Sequence, residues 1–207
     1  SEELKMQETY LDRRDLLPDP LAQFALWYEE AHQSTVALPH AMVLATADAR
    51  GCPSARMVLL KECDQRGFVF YTNSNSHKGR DLSQNPRAAL VFHWEPLRKQ
   101  VRVEGDVELV SSEEADAYFA TRPRGSQLGA WASPQSESIP DRTALERETN
   151  QLETHYAERD VPRPPHWNGY RVCPDTLEFW VDRASRLHDR FEYRRSPQGW
   201  QIRQLAP

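Results

Sequence analysis

Ala41-Met42-Val43-Leu44-Ala45-Thr46, Ser54-Ala55-Arg56-Met57-Val58-Leu59-Leu60-Lys61 and Gly67-Phe68-Val69-Phe70-Tyr71-Thr72 follow one another in the first half of the chain. Two short turn-forming segments separate them, 48–53 with Gly51 and Pro53, and 64–67 with Asp64 and Gly67. Runs of this length, rich in β-branched and aromatic residues, read as strands. Connections this short join antiparallel neighbours, because a parallel pair needs a crossover of a dozen or more residues. The same texture extends outward. Residues 88–94 and 100–110 read as further strands, the second interrupted at Gly105, which marks a bulge or bend. Residues 169–173, 176–182, 186–193 and 200–205 read as the closing strands, with a hairpin turn at 197–199.

Helices are fewer and carry clear start signals. Asp19-Pro20 supplies an N-cap and a first-turn proline for a helix with Leu21, Phe24, Ala25, Trp27 and Tyr28 along one stripe. Residues 76–84 form a short helix ended by Asn85-Pro86. Ser111 and Glu114 form a capping box for a helix that stops near Arg122-Pro123. Residues 126–133 and 141–158 read as two more helices. The fold class is mainly β with flanking helices (α+β): an antiparallel barrel with helices on its outside. Residues 1–18 are polar and irregular and read as a mobile arm; 19–207 read as one domain.

Composition narrows the functions. The chain has 207 residues and a formal charge of -5, with 39% hydrophobic and 28% charged residues, which suits a globular protein and disfavours general nucleic-acid binding. No apolar run is long enough to span a bilayer, and the first residues lack the basic and apolar regions of a secretory signal. Three cysteines, Cys52, Cys63 and Cys173, with no CxxC pair, argue against a disulfide framework or a zinc site; a cytoplasmic location is expected. Glycine-rich phosphate loops, a Gly-x-Ser-x-Gly elbow and HExxH are all absent, so a bound nucleotide would have to be held by side-chain cations. Only four lysines, Lys5, Lys61, Lys78 and Lys99, stand among the 26 Lys and Arg.

Several local patterns admit two readings. Arg56 and Lys61 bracket one strand; five apart, they face opposite sides of it, so one ligand meets both only at a bulge or by wrapping the strand end. Ser76-His77-Lys78 opens a helix and suits a phosphate, or is a capping serine with two solvated neighbours. Tyr118 and Arg122 share a helix face, with Arg124 and Ser126 just beyond. They suit a second phosphate, or are a packing tyrosine and a helix-terminal cation. Gln100, Gln135, Ser136 and Trp180 are ordinary taken singly. In Arg186-Leu187-His188-Asp189-Arg190-Phe191, strand alternation puts Arg186, His188 and Arg190 on one face and Leu187 and Phe191 on the other, where they can pack. Two guanidinium groups flanking an imidazole suit an anionic ligand, or a solvated edge strand.

Taken in order, these stretches resemble the pyridoxine/pyridoxamine 5'-phosphate oxidase family. The likeness is carried by residues 41–46, 56–61 and 69–73, by Arg122-Pro123-Arg124 through Ser126-Gln127, and by Gly129-Ala130-Trp131 and Gln135-Ser136. It continues through Glu178-Phe179-Trp180, residues 186–191 and Leu205-Ala206-Pro207. The resemblance implies a split β-barrel homodimer with FMN at the subunit interface. It implies FMN contacts from Arg56, Lys61, Tyr71, Thr72, His77, Lys78, Gln100, Gln135, Ser136, Trp180 and Arg190; the family has arginine at the position of His77. It implies that Lys61, Tyr118, Arg122 and Ser126 hold a substrate phosphate, and that Arg186 and His188 lie over the substrate ring as the catalytic pair. The implied reaction is oxidation of pyridoxamine 5'-phosphate or pyridoxine 5'-phosphate to pyridoxal 5'-phosphate, with O2 as acceptor and H2O2 released. Alternatives on the same scaffold are a phenazine-type flavin oxidase and a non-catalytic flavin- or haem-binding barrel.

Overall fold

The computed structural model describes residues 10–207. Among them are nine strands: β1 (Ala41–Ala47), β2 (Pro53–Leu59), β3 (Glu62–Asp64), β4 (Gly67–Asn73), β5 (Arg87–Trp94), β6 (Lys99–Leu109), β7 (Trp167–Val181), β8 (Asp189–Ser196) and β9 (Gly199–Gln204). Five α-helices accompany them: α1 (Pro20–Gln33), α2 (His77–Gln84), α3 (Ser112–Ala120), α4 (Arg124–Ala132) and α5 (Arg142–His155). Every strand pair is antiparallel, and the sheet runs β2-β1-β5-β6-β7-β4-β3, with β8 and β9 added beside β7. It curls into a half-barrel, and its two ends approach where β2 leads into β3: the Lys61 N–H donates to the Val69 carbonyl at 2.9 Å.

The expected strands at 169–173 and 176–182 are one long strand, β7. Its first half pairs β4 through Val172, and its second half pairs β8 from Thr176. Pro174 sits at the changeover, where a residue without an N–H leaves the ladder on that edge without cost. Opposite it, the register of β6 against β7 shifts between Glu104 and Gly105; the irregularity falls where the sequence suggested, but the extra residue is Asp175 on β7. A Cβ on Gly105 would stand 2.0 Å from the Cys173 carbonyl oxygen, so only glycine admits this close approach.

The core lies inside the curl, and α1 plugs it. Asp19 caps α1 by accepting from the Leu21 N–H at 3.0 Å. Leu21, Phe24, Trp27 and Ala31 are buried, while Ala25 faces out. The Phe24 ring lies 4.9 Å from both Phe68 and Phe92, and Trp27 meets Phe179 edge-on at 5.1 Å. At ~25 cal/mol per Å2 of apolar surface removed from water, these aromatics dominate the stabilisation.

The sequence suggested a mobile arm over 1–18. Residues 1–9 lie outside the described residues, and the remainder is seated on the barrel. The Leu11 N–H donates to Asp189 Oδ2 at 3.0 Å, the Tyr193 hydroxyl donates to the Leu17 carbonyl at 2.7 Å, and Leu16 is buried. A capping box between Asp12 and Asp15 closes a single 3-10 turn here.

The strand expected from Arg186 starts instead at Asp189. Ala184–Arg186 is a 3-10 turn in which Ser185 and Arg186 take φ of 56° and 61°. The alternation of Arg186, His188 and Arg190 therefore fails at its first member, and Leu187 is exposed rather than packed. The chain must reverse from β7 into β8 here, and left-handed residues make that reversal.

Candidate active site

An open cleft of about 500 Å3 lies between the β2 edge, β4, α2 and the α3–α4 connection. Four cations line it: Arg56, Lys61, Lys78 and Arg122, with Tyr71, Thr72, Tyr118, Ser126, Gln135 and Trp167 beside them. Among the described residues no carboxylate lines it, in a chain whose net charge is -5. Concentrating positive charge in this way costs free energy unless an anion binds.

Each cation is held differently. Arg56 leaves β2 and donates through Nη1 to Thr46 Oγ1 at 2.7 Å, and through Nη2 to Ser54 Oγ at 2.5 Å. The buried Asp81 carboxylate lies 3.9 Å from Nη2. Lys61 reaches the same cleft with no bulge, because β2 ends at Leu59 and the chain has turned before Lys61. Lys78, in the first turn of α2, is 9% exposed and donates to Gln135 Oε1 at 3.3 Å. Burial, and then the charge of Arg56, hold its ammonium below the usual lysine value of 10.5. Ser76 caps α2 by accepting from the Gly79 N–H. The His77 ring lies outside the cleft, 3.6 Å from Asp81 and largely exposed.

Arg122 lies past the end of α3, so it is not a helix-terminal cation of the ordinary kind. Its guanidinium sits 4.7 Å from the Trp167 ring centroid, and its Nη1 is buried without a hydrogen-bond partner. Tyr118 both packs and lines the cleft, stacked on Tyr71 at 4.2 Å. Burial pushes the Tyr71 phenol up to about 12, which keeps it a neutral donor. Thr72 Oγ1 donates to Gln135 Oε1 at 2.8 Å, so Thr72 and Lys78 converge on one carboxamide oxygen. Ser136 is exposed beside the cleft with φ 73°. Arg124 turns away and pairs with Glu153 at 3.0 Å.

A second constellation forms elsewhere. Gln100, Trp180 and Arg190 stand directly opposite one another across β6, β7 and β8, so their side chains share one sheet face. The His188 ring lies 4.7 Å from Trp180. Its Nδ1 is 3.0 Å from the Arg183 N–H and 3.1 Å from Asp182 Oδ1. A neutral ring accepts from the first and a protonated ring donates to the second, so Nδ1 has a partner in either state. Arg190 is gripped by the buried Glu178 through Nε at 2.8 Å and Nη2 at 3.2 Å, and its Nη1 donates to the Ala206 carbonyl. Arg186 projects from its turn, exposed. This group occupies the far end of β7 from Trp167, roughly 40 Å of strand away at ~3.3 Å per residue.

Residues 28–156 match the profile of the family described as pyridoxamine 5'-phosphate oxidase, and residues 167–207 match the pyridoxine 5'-phosphate oxidase C-terminal dimerisation region. The chain belongs to the pyridoxamine 5'-phosphate oxidase family. Among curated members, the pyridoxine/pyridoxamine 5'-phosphate oxidase of Cupriavidus necator is 56% identical over 198 residues, covering 95% of this chain and 93% of that one. Pyridoxine/pyridoxamine 5'-phosphate oxidase 1 of Ralstonia nicotianae is 57% identical over 201 residues, with coverage of 95% and 93%. PhzG from Burkholderia lata, solved with tetrahydrophenazine-1-carboxylic acid, superposes with a TM-score of 0.91 at 31% identity, covering 97% and 98%. A pyridoxamine 5'-phosphate oxidase-related, FMN-binding protein from Nostoc punctiforme shares the fold, with a TM-score of 0.71 at 19% identity over 93% and 100%.

In this member of the pyridoxamine 5'-phosphate oxidase family, two side chains that shape the cleft escape sequence reasoning. Trp167 lies far in sequence from Arg122 and reaches the cleft only through the pairing of β7 with β4, in which it stands opposite Asn73. Asp81, which anchors Arg56 and Thr46, reads in the sequence as an ordinary helix-surface acid.

Proposed function

We propose that the chain is an FMN-dependent oxidase that converts pyridoxamine 5'-phosphate or pyridoxine 5'-phosphate to pyridoxal 5'-phosphate, with O2 as acceptor and H2O2 as co-product, and that it works as a homodimer. The observation that carries this reading is the carboxylate-free cleft with four cations. Two phosphorylated ligands, cofactor and substrate, account for so many. The buried unpartnered Nη1 of Arg122 and the depressed Lys78 both fit groups that await an anion. The names of the close relatives point the same way.

Arg56, Thr72, Lys78 and Gln135, with Lys61, Tyr71 and Ser136 near them, would hold FMN; His77, whose ring lies outside the cleft, would not be a direct contact. Lys61, Tyr118, Arg122 and Ser126 would hold the substrate phosphate. Gln100, Trp180, Arg190, Arg186 and His188 would come from a second copy of the chain, since they lie at the opposite end of β7. Exposed Met57 and Leu59 on the edge strand β2, beside the cleft, suit burial under that second copy. Bound FMN supplies a two-electron acceptor for oxidation at the substrate C4' carbon. The protein's part is positioning: the cations fix the phosphate, Arg186 fixes the ring and stabilises charge at the reacting end, and His188 orients the substrate with its Nδ1 already satisfied. The three free cysteines fit a reducing cytoplasm.

The purified chain is expected to be yellow, to bleach anaerobically with pyridoxamine 5'-phosphate, and to recover its colour in air with release of H2O2. A flavin absorbance indifferent to that substrate defeats the reading. The fold likeness to PhzG favours a second reading, an oxidase of a phenazine-type ring. Preference for phosphorylated over dephosphorylated pyridoxamine separates the two.

Lys78 adds a pH dependence. Its folded value is depressed, so below the ordinary lysine value the unfolded chain binds the extra proton, and the ligand-free fold gains stability as pH rises through that window. Anion binding has the opposite sign, because it needs the charged ammonium. FMN retention, followed by ultrafiltration from neutral pH up to about 10, is expected to fall earlier than an ordinary lysine would dictate. Lys78→Arg, which stays charged, is expected to flatten the profile.

A further inference from the structure

The hold on Arg122 is unlike that on Arg56 and Arg190. Arg56 is anchored by Thr46 and Asp81, and Arg190 by Glu178. Arg122 makes no ion pair among the described residues; what fixes it is the Trp167 indole at 4.7 Å, with Phe119 at 5.7 Å. The indole is itself fixed. It is 6% exposed, stacked on Tyr71 at 4.9 Å with an 11° interplanar angle, and met edge-on by Phe119 at 5.1 Å. Its backbone is locked into the sheet opposite Asn73.

A carboxylate partner would hold a guanidinium equally well, but it would cancel the charge and occupy the donor fork. An aromatic face orients the flat cation and leaves both charge and N–H groups available. The buried Nη1 without a partner is the free donor this arrangement leaves. We infer that Trp167 is a positioning residue for the substrate phosphate, acting by holding the Arg122 guanidinium over its indole, uncompensated, at the cleft wall. The inference rests on the phosphate-binding role proposed above for Arg122 and deepens it.

The phosphate anchor is present in ground state and transition state alike, so loss of its alignment raises KM and spares kcat. For Trp167→Leu in the FMN-loaded enzyme, KM for pyridoxamine 5'-phosphate is expected to rise about tenfold, with kcat within about threefold of wild type. The preference for the phosphorylated over the dephosphorylated amine should fall by a similar factor. Trp167→Phe, which keeps a π face, should retain most of the preference, with a KM rise of about threefold. Inorganic phosphate, titrated calorimetrically into the same proteins, should bind about tenfold more weakly to Trp167→Leu. An unchanged preference ratio and unchanged phosphate affinity in Trp167→Leu overturn the proposal, whatever its melting temperature. If Trp167→Leu does not fold, the Phe variant decides, and no shift in its ratio overturns it. A wild-type chain inactive on pyridoxamine 5'-phosphate defeats the functional reading instead, and the phosphate titration still tests Trp167.

Discussion

A mixed dimer of two crippled chains, one carrying Arg122→Ala and the other Arg186→Ala, is expected to recover about half of the wild-type turnover, although neither homodimer is active at low substrate. The arithmetic follows from two-fold symmetry. In the proposed homodimer each site would take the cation cleft from one chain and the Arg186–His188 turn from the other. In the mixed dimer one site collects both defects and the other collects none. The structural ground is the placement of the two groups at opposite ends of β7, with Trp167 beside Arg122 and Trp180 beside His188. Co-expression with two different affinity tags yields the mixed species for assay. If each site were built within one chain, every chain in the mixture would carry a defect and no activity would return; that outcome defeats the shared-site arrangement. Arg122→Ala alone is expected to lower kcat/KM about 100-fold, the scale of a lost charge-assisted contact to phosphate.

Arg186→Ala is expected to lower kcat by about 100- to 1000-fold while FMN content and melting temperature stay close to wild type. Arg186 buries nothing: it is exposed and makes no ion pair among the described residues. It is nevertheless held, with Ser185, in left-handed backbone, at a cost of about 1–2 kcal/mol for each non-glycine residue. Glycine at either position would avoid that cost, so the side chain earns its place by something other than stability. Its neighbours are anchored around it: Asp189 accepts from Arg183 Nε at 2.7 Å and from the Leu11 N–H at 3.0 Å, and the Arg183 N–H donates to His188. The turn is thus a braced platform that presents Arg186. Stopped-flow reduction of the bound flavin checks the prediction, and loss of flavin from the purified variant would reassign Arg186 to cofactor retention.

Local chemistry was legible in the sequence. Asp19-Pro20, Ser76, the Ser111 and Glu114 box and Asp141 all start helices where their side chains accept backbone N–H groups. The register shift of β6 against β7 falls beside Gly105. The resemblance also singled out the cleft cations. The strand reading held from Asp189 onward and failed over 186–188 for a definable reason. Alternation is a property of strands, and a short run of mixed charge does not reveal a turn built from non-glycine residues in left-handed backbone. Arg56 and Lys61 looked incompatible with one ligand only because β2 was taken two residues too far.

By itself, then, the sequence determined what neighbours in the chain decide: the type and approximate place of most elements, the residues that cap the helices, and that arginine and lysine recur at element ends. The tertiary structure alone decided which of those charges share a cleft. Arg56, Lys61, Lys78 and Arg122 meet because β4 pairs with β7 and β2 with β1, and those pairings bring together residues far apart in the chain. The physical reason is that strand register is set by burial of the whole sheet face, to which Phe68, Phe92, Phe179 and the α1 aromatics contribute together, and no local stretch contains that sum.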